Sequence, residues 1–322
     1  DPDGRPPRRE LIPLLLPASD LWGGTMSGFT EATTPDGRTL EVLTGGLEDG
    51  YPLLFHGGTP SAAAPYARLD AMLVQAGLRM VTYSRPGYGG STPRSSSEDR
   101  PRIADDAADS VTVLDHLGIE EFLTLGWSGG GPRALACAAL LPDRCRAAAT
   151  LAGVAPYDAE GLDWDEGMGP ENVEDFQMAV QGPEVYGPFL EETITPTFEA
   201  TPDQLVEAFG GLVTEVDAAF ITGDFADYLS RVFHHAGAQG VIGVRDDGMQ
   251  IVAPWGFDLD SITVPVAVWQ GRHDAMVPFS HGEWLAANVA GAKAHLFDHE
   301  GHLSLFSQLD AILLDLKDLG GV

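Results

Sequence analysis

The sequence predicts an α/β fold: a mostly parallel sheet flanked by helices and interrupted once by a helical insertion. Three observations carry this expectation. From residue 51 onward, short apolar runs alternate with Ala-rich helical stretches, the pattern of βαβ units whose strands are buried on both faces. The alternation fails once, over residues 158–255, where the chain turns acidic and helix-like with Gly and Pro punctuation. The 322 residues, 44% of them hydrophobic, suffice for one large core or two modest ones.

Residues 1–25 are rich in Pro, Arg and Gly without sustained periodicity and read as an N-terminal extension. Met26 opens a stretch that runs into a hairpin, with Asp36-Gly37 as its turn. Strands are expected at Pro52–Phe55, Arg79–Tyr83, Phe122–Leu125, Ala147–Leu151, Val264–Gln270 and Ala294–Phe297. Helices are expected at Ala62–Ala76, Ile103–Leu117, Arg133–Leu141, Ser280–Val289 and Leu303–Leu316. Residues 26–157 and 256–322 then form the core, and 158–255 a helical cap.

Acidic residues outnumber basic ones 48 to 18, a net charge of −30, which disfavours a nucleic-acid-binding surface. The only lysines are Lys293 and Lys317, so Schiff-base chemistry or a P-loop lysine is excluded from the first 292 residues. Cys137 and Cys145 have neither CxxC nor zinc-ligand spacing and read as buried thiols. No apolar run approaches the roughly 18 residues of a membrane span. A cytoplasmic protein is expected, with secretion left open by a chain beginning at Asp1.

The strongest chemical signal is Gly126-Trp127-Ser128-Gly129-Gly130, a G-x-S-x-G between an expected strand and an expected helix. A strand reversing into a helix exposes Ser128 at a strained apex and aims the helix N-terminus at a developing oxyanion. The bland reading is a Gly-rich turn with an idle serine. A serine nucleophile needs a histidine base oriented by an acid. His302 follows the last expected strand, and Asp274 follows the strand before it, 28 residues earlier. Both fall at the carboxyl edge of the sheet, where such sites form. Asp274 could instead be a solvated loop carboxylate, and Asp158 is the alternative acid. His295, His299 and His302 raise a metal reading, but their spacing matches no common zinc pattern.

His56-Gly57-Gly58-Thr59-Pro60 leaves backbone N–H groups open, making Gly58 and Gly129 the oxyanion candidates. His56 reads as a structural histidine. Arg85-Pro86-Gly87-Tyr88-Gly89-Gly90-Ser91 is not G-x-G-x-x-G, lacks a lysine, and reads as a turn at the sheet edge. Trp127 and Thr59 are pocket-wall candidates. Phe176, Tyr186, Phe189, Phe209, Phe220 and Phe233 are available to line the cap, although aromatics at helical spacing are usually core.

Taken together, Ser128, Asp274 and His302 in that chain order, with the HGG, SRPGYGGS, GWSGG and HEGH segments, resemble an α/β-hydrolase from about residue 30 to the end. The resemblance implies an eight-stranded, mostly parallel sheet, a helical cap after the sixth strand and Ser-His-Asp acyl chemistry. Epoxide hydrolases and haloalkane dehalogenases carry Asp at the elbow, so Ser128 disfavours those activities. Prolyl iminopeptidases usually read HGGPG, where this chain has His56-Gly57-Gly58-Thr59-Pro60. The expectation is a cofactor-free hydrolase of an ester, lactone or thioester, acting on a small molecule. Alternatives are an aminopeptidase or C–C bond hydrolase on the same residues, or a non-catalytic ligand-binding protein of this fold.

Within residues 158–250, 20 acidic residues face only Arg231 and Arg245. That charge could steer cationic substrates, or serve only solubility or salt adaptation.

Overall fold

Strands form where apolar and β-branched residues run unbroken, and they stop where Gly or Pro removes a side chain or an N–H. The protein is described by a computed structural model covering residues 28–94 and 101–322. Its strands are β1 (Phe29–Thr33), β2 (Thr39–Gly46), β3 (Tyr51–His56), β4 (Leu78–Tyr83), β5 (Phe122–Trp127), β6 (Cys145–Leu151), β7 (Val266–Gly271) and β8 (Lys293–Phe297). They form one sheet in the order β1-β2-β4-β3-β5-β6-β7-β8. β2 runs antiparallel to both its neighbours, and all other adjacent pairs are parallel. The expected α/β architecture with a mostly parallel eight-stranded sheet is present. The expected extension at residues 1–25 lies outside the described residues.

The hairpin turns at Asp36-Gly37, where Thr34 N donates to Arg38 O at 2.9 Å and Gly37 N to Thr34 O at 2.9 Å. Most expected boundaries move by a residue or two, and three of the shifts have a clear place in the chain. β7 begins at Val266 rather than Val264, because Pro265 has no N–H for the ladder. The first helix, α1, begins at Ala67 rather than Ala62 and runs to Ala76. Pro65 disfavours helical backbone before it, and Ala63 N is held by Ser84 Oγ at 2.9 Å. The last expected helix splits into a 3-10 turn at Ser304–Gln308 and a helix at Leu309–Gly320.

The other helices are α2 (Ile103–His116) and α3 (Gly131–Leu140), then α4 (Pro170–Gln181), α5 (Pro183–Thr193), α6 (Thr195–Glu199), α7 (Leu205–Phe209), α8 (Glu215–Phe220), α9 (Gly223–Ala236) and α10 (Ile242–Ile251). After β7 come α11 (Phe279–Asn288) and α12 (Leu309–Gly320). Side-chain alternation splits the core into two layers. Leu53, Leu123, Leu125 and Trp127 join Leu69 and Leu73 of α1 and Leu313 of α12. Leu54, Val81 and Val268 join Leu114 of α2, Leu135 of α3 and Leu285 of α11. Each such buried Leu contributes about 1.5–3 kcal/mol relative to exposure.

Helices α4–α10 form an insertion between β6 and β7 that contains no strand. It is fastened to the core by α9, whose Phe225, Leu229 and Val232 join the first layer. A separate cluster of Tyr186, Leu190, Phe198 and Val244 also takes in Tyr88 of the turn after β4. Cys137 and Cys145 are buried free thiols, as expected. No helix among the described residues is long and apolar enough to cross a membrane.

Candidate active site

β5 is central, paired with β3 and β6, and its carboxyl end reverses at Ser128 into a 3-10 turn, Ser128–Gly130, that leads into α3. Ser128 has φ +55°, a conformation costing on the order of 1–3 kcal/mol for a residue with a Cβ. Close packing enforces it. A Cβ on Gly126 would lie 2.2 Å from Gly130 O, and one on Gly130 would lie 2.1 Å from His56 O. Only glycine fits at either framing position, which is why the motif needs them there.

Asp274 and His302 meet. Asp274 Oδ2 lies 2.8 Å from His302 Nδ1, with both side chains buried. The carboxylate is fixed on its far side: Met276 N and Val277 N donate to Oδ1 at 2.9 and 2.8 Å. Gln270 Nε2 adds a bond to Oδ2 at 3.0 Å. Burial alone would lower the His302 pKa, but the charge and hydrogen bond of Asp274, helped by the charge of Asp217, hold it above the ordinary histidine value. Asp158 is exposed in the loop after β6. The three histidines of the metal reading diverge: His295 stacks on Trp269 and bonds Asp315, His299 is exposed, and His302 faces Asp274.

Ser128 Oγ makes no hydrogen bond among the described residues, to His302 or to any other group. Beside it, the ring of Trp127 is 5.7 Å from the His302 ring. Trp127 is not in the cavity wall expected for it. Alternation along β5 puts it on the Leu123 and Leu125 face, edge-on to Phe306 at 4.8 Å.

Gly58 stands against the serine: a Cβ added to it would be 3.2 Å from Ser128 Cβ. Gly58 is a buried residue, and its N–H donates to no group among the described residues. The Gly129 N–H belongs to the first turn of the elbow, whose donors have no intrahelical partner. His56 is neutral and structural in its setting. Burial and the nearby Arg85 charge drive its pKa down to about 3, and its ring meets Cys137 and Tyr83 rather than the site.

A cavity of about 230 Å³ opens at Ser128 and Gly129, with Thr59 and Pro60 beside them. Its far wall comes from the insertion and is apolar in Phe176, Phe189, Ile194, Phe209, Leu212, Val244 and Ile251. Of the six expected aromatics, Phe176, Phe189 and Phe209 line it; Tyr186, Phe220 and Phe233 pack elsewhere. Three carboxylates of α4, Glu171, Glu174 and Asp175, also line it, and no Lys or Arg does. Burial pushes the Asp175 carboxyl up to about 6, against the opposing pull of a Tyr186 Oη hydrogen bond.

The sequence reading missed the residues through which the insertion grips the site. Asp217 of α8 is fully buried and accepts from the backbone N–H groups of His302, Leu303 and Ser304 at 2.9, 2.8 and 2.8 Å. Asp247 of α10 pairs with Arg85 and Arg133, and Asp106 of α2 pairs with Arg133, all buried. Two guanidiniums outweigh burial and hold Asp247 at about 2. The available signal was Arg133 inside an otherwise apolar helix, a charge that requires a buried counter-ion.

Comparison with known proteins agrees with this architecture. The chain is 28% identical over 286 residues to the hydrolase YcgS of Bacillus subtilis (strain 168), covering 86% of this chain and 93% of that one. It is 25% identical over 279 residues to a 2-hydroxy-6-oxononadienedioate/2-hydroxy-6-oxononatrienedioate hydrolase of Klebsiella pneumoniae, covering 85% and 89%. The bromoperoxidase of Bacillus anthracis superposes with a TM-score of 0.64 at 22% identity, covering 90% of this chain and 100% of that one. The profile of the alpha/beta hydrolase fold family matches residues 51–308, and the chain belongs to that family.

Proposed function

We propose that the protein is a serine hydrolase that cleaves a carboxylic ester, lactone or thioester through an acyl-enzyme on Ser128. The observation that carries this reading is the buried Asp274–His302 hydrogen bond at the same sheet edge as the Ser128 elbow. His302 takes the Ser128 proton as Oγ attacks the acyl carbonyl, then returns it to the leaving alcohol or thiol. Water adds by the same route and frees the acid. The N–H groups of Gly58 and Gly129 stabilise the oxyanion, a contribution of about 2.7–4 kcal/mol for each donor in comparable sites. Asp274 keeps the proton on Nδ1 and stabilises the imidazolium. In this reading the α4–α10 insertion is a cap whose apolar wall takes the acyl or alcohol group.

The test is labelling with a fluorophosphonate, followed by a panel of p-nitrophenyl esters of increasing acyl length beside aminoacyl anilides. Labelling at Ser128 with ester turnover supports the reading. Anilide turnover in preference to esters favours the aminopeptidase alternative, and an inert Ser128 in folded protein favours a non-catalytic binder.

Only neutral imidazole accepts the serine proton, so kcat/KM should rise with pH through a single ionisation. The charge of Asp274 places that ionisation above the ordinary 6.5. Stability runs the other way. The charged pair contributes fully below the ordinary value and its contribution is lost as pH rises through the raised one. A pH–rate profile whose midpoint falls below 6.5 would contradict the pairing. Activity should also survive EDTA; a loss restored by zinc would contradict hydrolysis by Ser128, His302 and Asp274 alone.

The carboxylates lining the cavity, unopposed there by Lys or Arg, predict attraction of cationic substrates and repulsion of anionic ones. Added NaCl should lower kcat/KM for a cationic ester, raise it for a matched anionic ester and leave a neutral one unchanged. Parallel responses of all three would assign the charge to solubility or salt adaptation.

A further inference from the structure

The Arg85 turn, which the proposed chemistry leaves unused, reaches the oxyanion loop from behind. Arg85 is buried at the carboxyl end of β4. It donates from Nη1 to Gly57 O at 2.7 Å and from Nη2 to Gly58 O at 2.6 Å. In a planar trans peptide the C=O and N–H point to opposite sides, and the Gly57–Gly58 bond is trans. A guanidinium that holds Gly57 O therefore turns the Gly58 N–H away from itself. That N–H has no partner among the described residues, and its residue packs against Ser128.

The guanidinium is itself held from the insertion. Asp247 of α10 pairs with Arg85 Nη2 at 2.5 Å. The same carboxylate accepts from Thr59 Oγ1 at 2.7 Å, in the oxyanion loop, and from Tyr88 Oη at 3.0 Å, in the Arg85 turn. Arg133 Nη2 supplies a second cation at 2.9 Å. A lone buried arginine would carry a large desolvation cost, whereas a planar fork spanning two carbonyls and a paired carboxylate is satisfied and fixed in direction. We propose that Arg85 is a positioning residue that sets the oxyanion donor of Gly58, and that Asp247 of the helical insertion locks Arg85 in that pose. The proposal rests on the serine-hydrolase reading.

The test is Arg85→Lys, which keeps the charge beside Asp247 but loses the fork that spans both carbonyls. With the oxyanion donor misaligned, kcat for a p-nitrophenyl ester should fall about a hundredfold with KM nearly unchanged. Affinity for a matched trifluoromethyl ketone, whose adduct carries the oxyanion, should fall by the same factor as kcat/KM, and that for the unreactive matched amide should hold. A merely structural role would weaken both inhibitors together, and that result, or wild-type kcat in the folded variant, overturns the proposal. If Arg85→Lys does not fold, the same measurements on Asp247→Asn decide, because that variant keeps Arg85 and removes its anchor. Wild-type protein inert to fluorophosphonate would overturn the hydrolase reading itself; labelled wild type with an equally fast Arg85→Lys would overturn only this inference.

Discussion

Ser128→Ala is expected to abolish ester turnover, by up to about a millionfold, because members of a triad act as a unit and removing the nucleophile removes the whole covalent route. The variant should fold. The turn at residue 128 is imposed by Gly126 and Gly130, whose positions admit no Cβ, and alanine meets the same positive-φ penalty that serine already carries there. Ser128 Oγ makes no hydrogen bond among the described residues, so its removal strands no partner. The thermal midpoint should therefore stay near that of the wild type while fluorophosphonate labelling disappears. Substantial turnover by purified, folded Ser128→Ala would remove Ser128 from the chemistry and leave the elbow as an idle turn.

How far this site was legible depends on whether a residue's role is local or distant in sequence. The Ser128 elbow is local: strand, two glycines and helix follow one another, so spacing alone exposes it. The positions of His302 and Asp274 are legible because each follows a strand, and the carboxyl edge of a parallel sheet gathers such positions whatever their separation. The strand cores were legible for a similar reason, since burial on both faces leaves continuous apolar runs, whereas Pro65 and Pro265 shifted two boundaries through backbone chemistry that hydrophobicity does not report. The insertion is different. Its helices pack on partners far away in the chain, so nothing in their own periodicity marks Asp217 as the acceptor of three backbone N–H groups beside His302. Nor does it separate Asp247 from 19 other acidic residues in the same stretch. Trp127 is less legible than its neighbour, because a one-residue step along a strand changes the face.

Asp274→Asn is expected to lower kcat by up to about ten-thousandfold, and the surrounding donors explain why the change is not conservative here. Met276 N and Val277 N both donate to Oδ1, so the amide oxygen of asparagine must stay on that side. Its NH2 then faces His302 Nδ1 and Gln270 Nε2, where the carboxylate had accepted from Gln270 and paired with His302. Gln270 cannot simply turn over, since its Nε2 also donates to Val277 O at 2.9 Å. The asparagine therefore donates to Nδ1 and shifts the imidazole proton to Nε2, the nitrogen that must be bare to receive the serine proton. The charge that raises the His302 pKa is lost as well, so the residual activity should titrate at lower pH than in the wild type. An opposed pair of buried donors costs on the order of 1–3 kcal/mol in stability, so turnover must be compared at a temperature where both proteins are folded. Asp158→Asn, at an exposed position, serves as the control and should be near wild type. Near-normal kcat in folded Asp274→Asn, or a large loss in Asp158→Asn, would move the acid to the loop after β6 and leave the Asp274–His302 hydrogen bond a structural one.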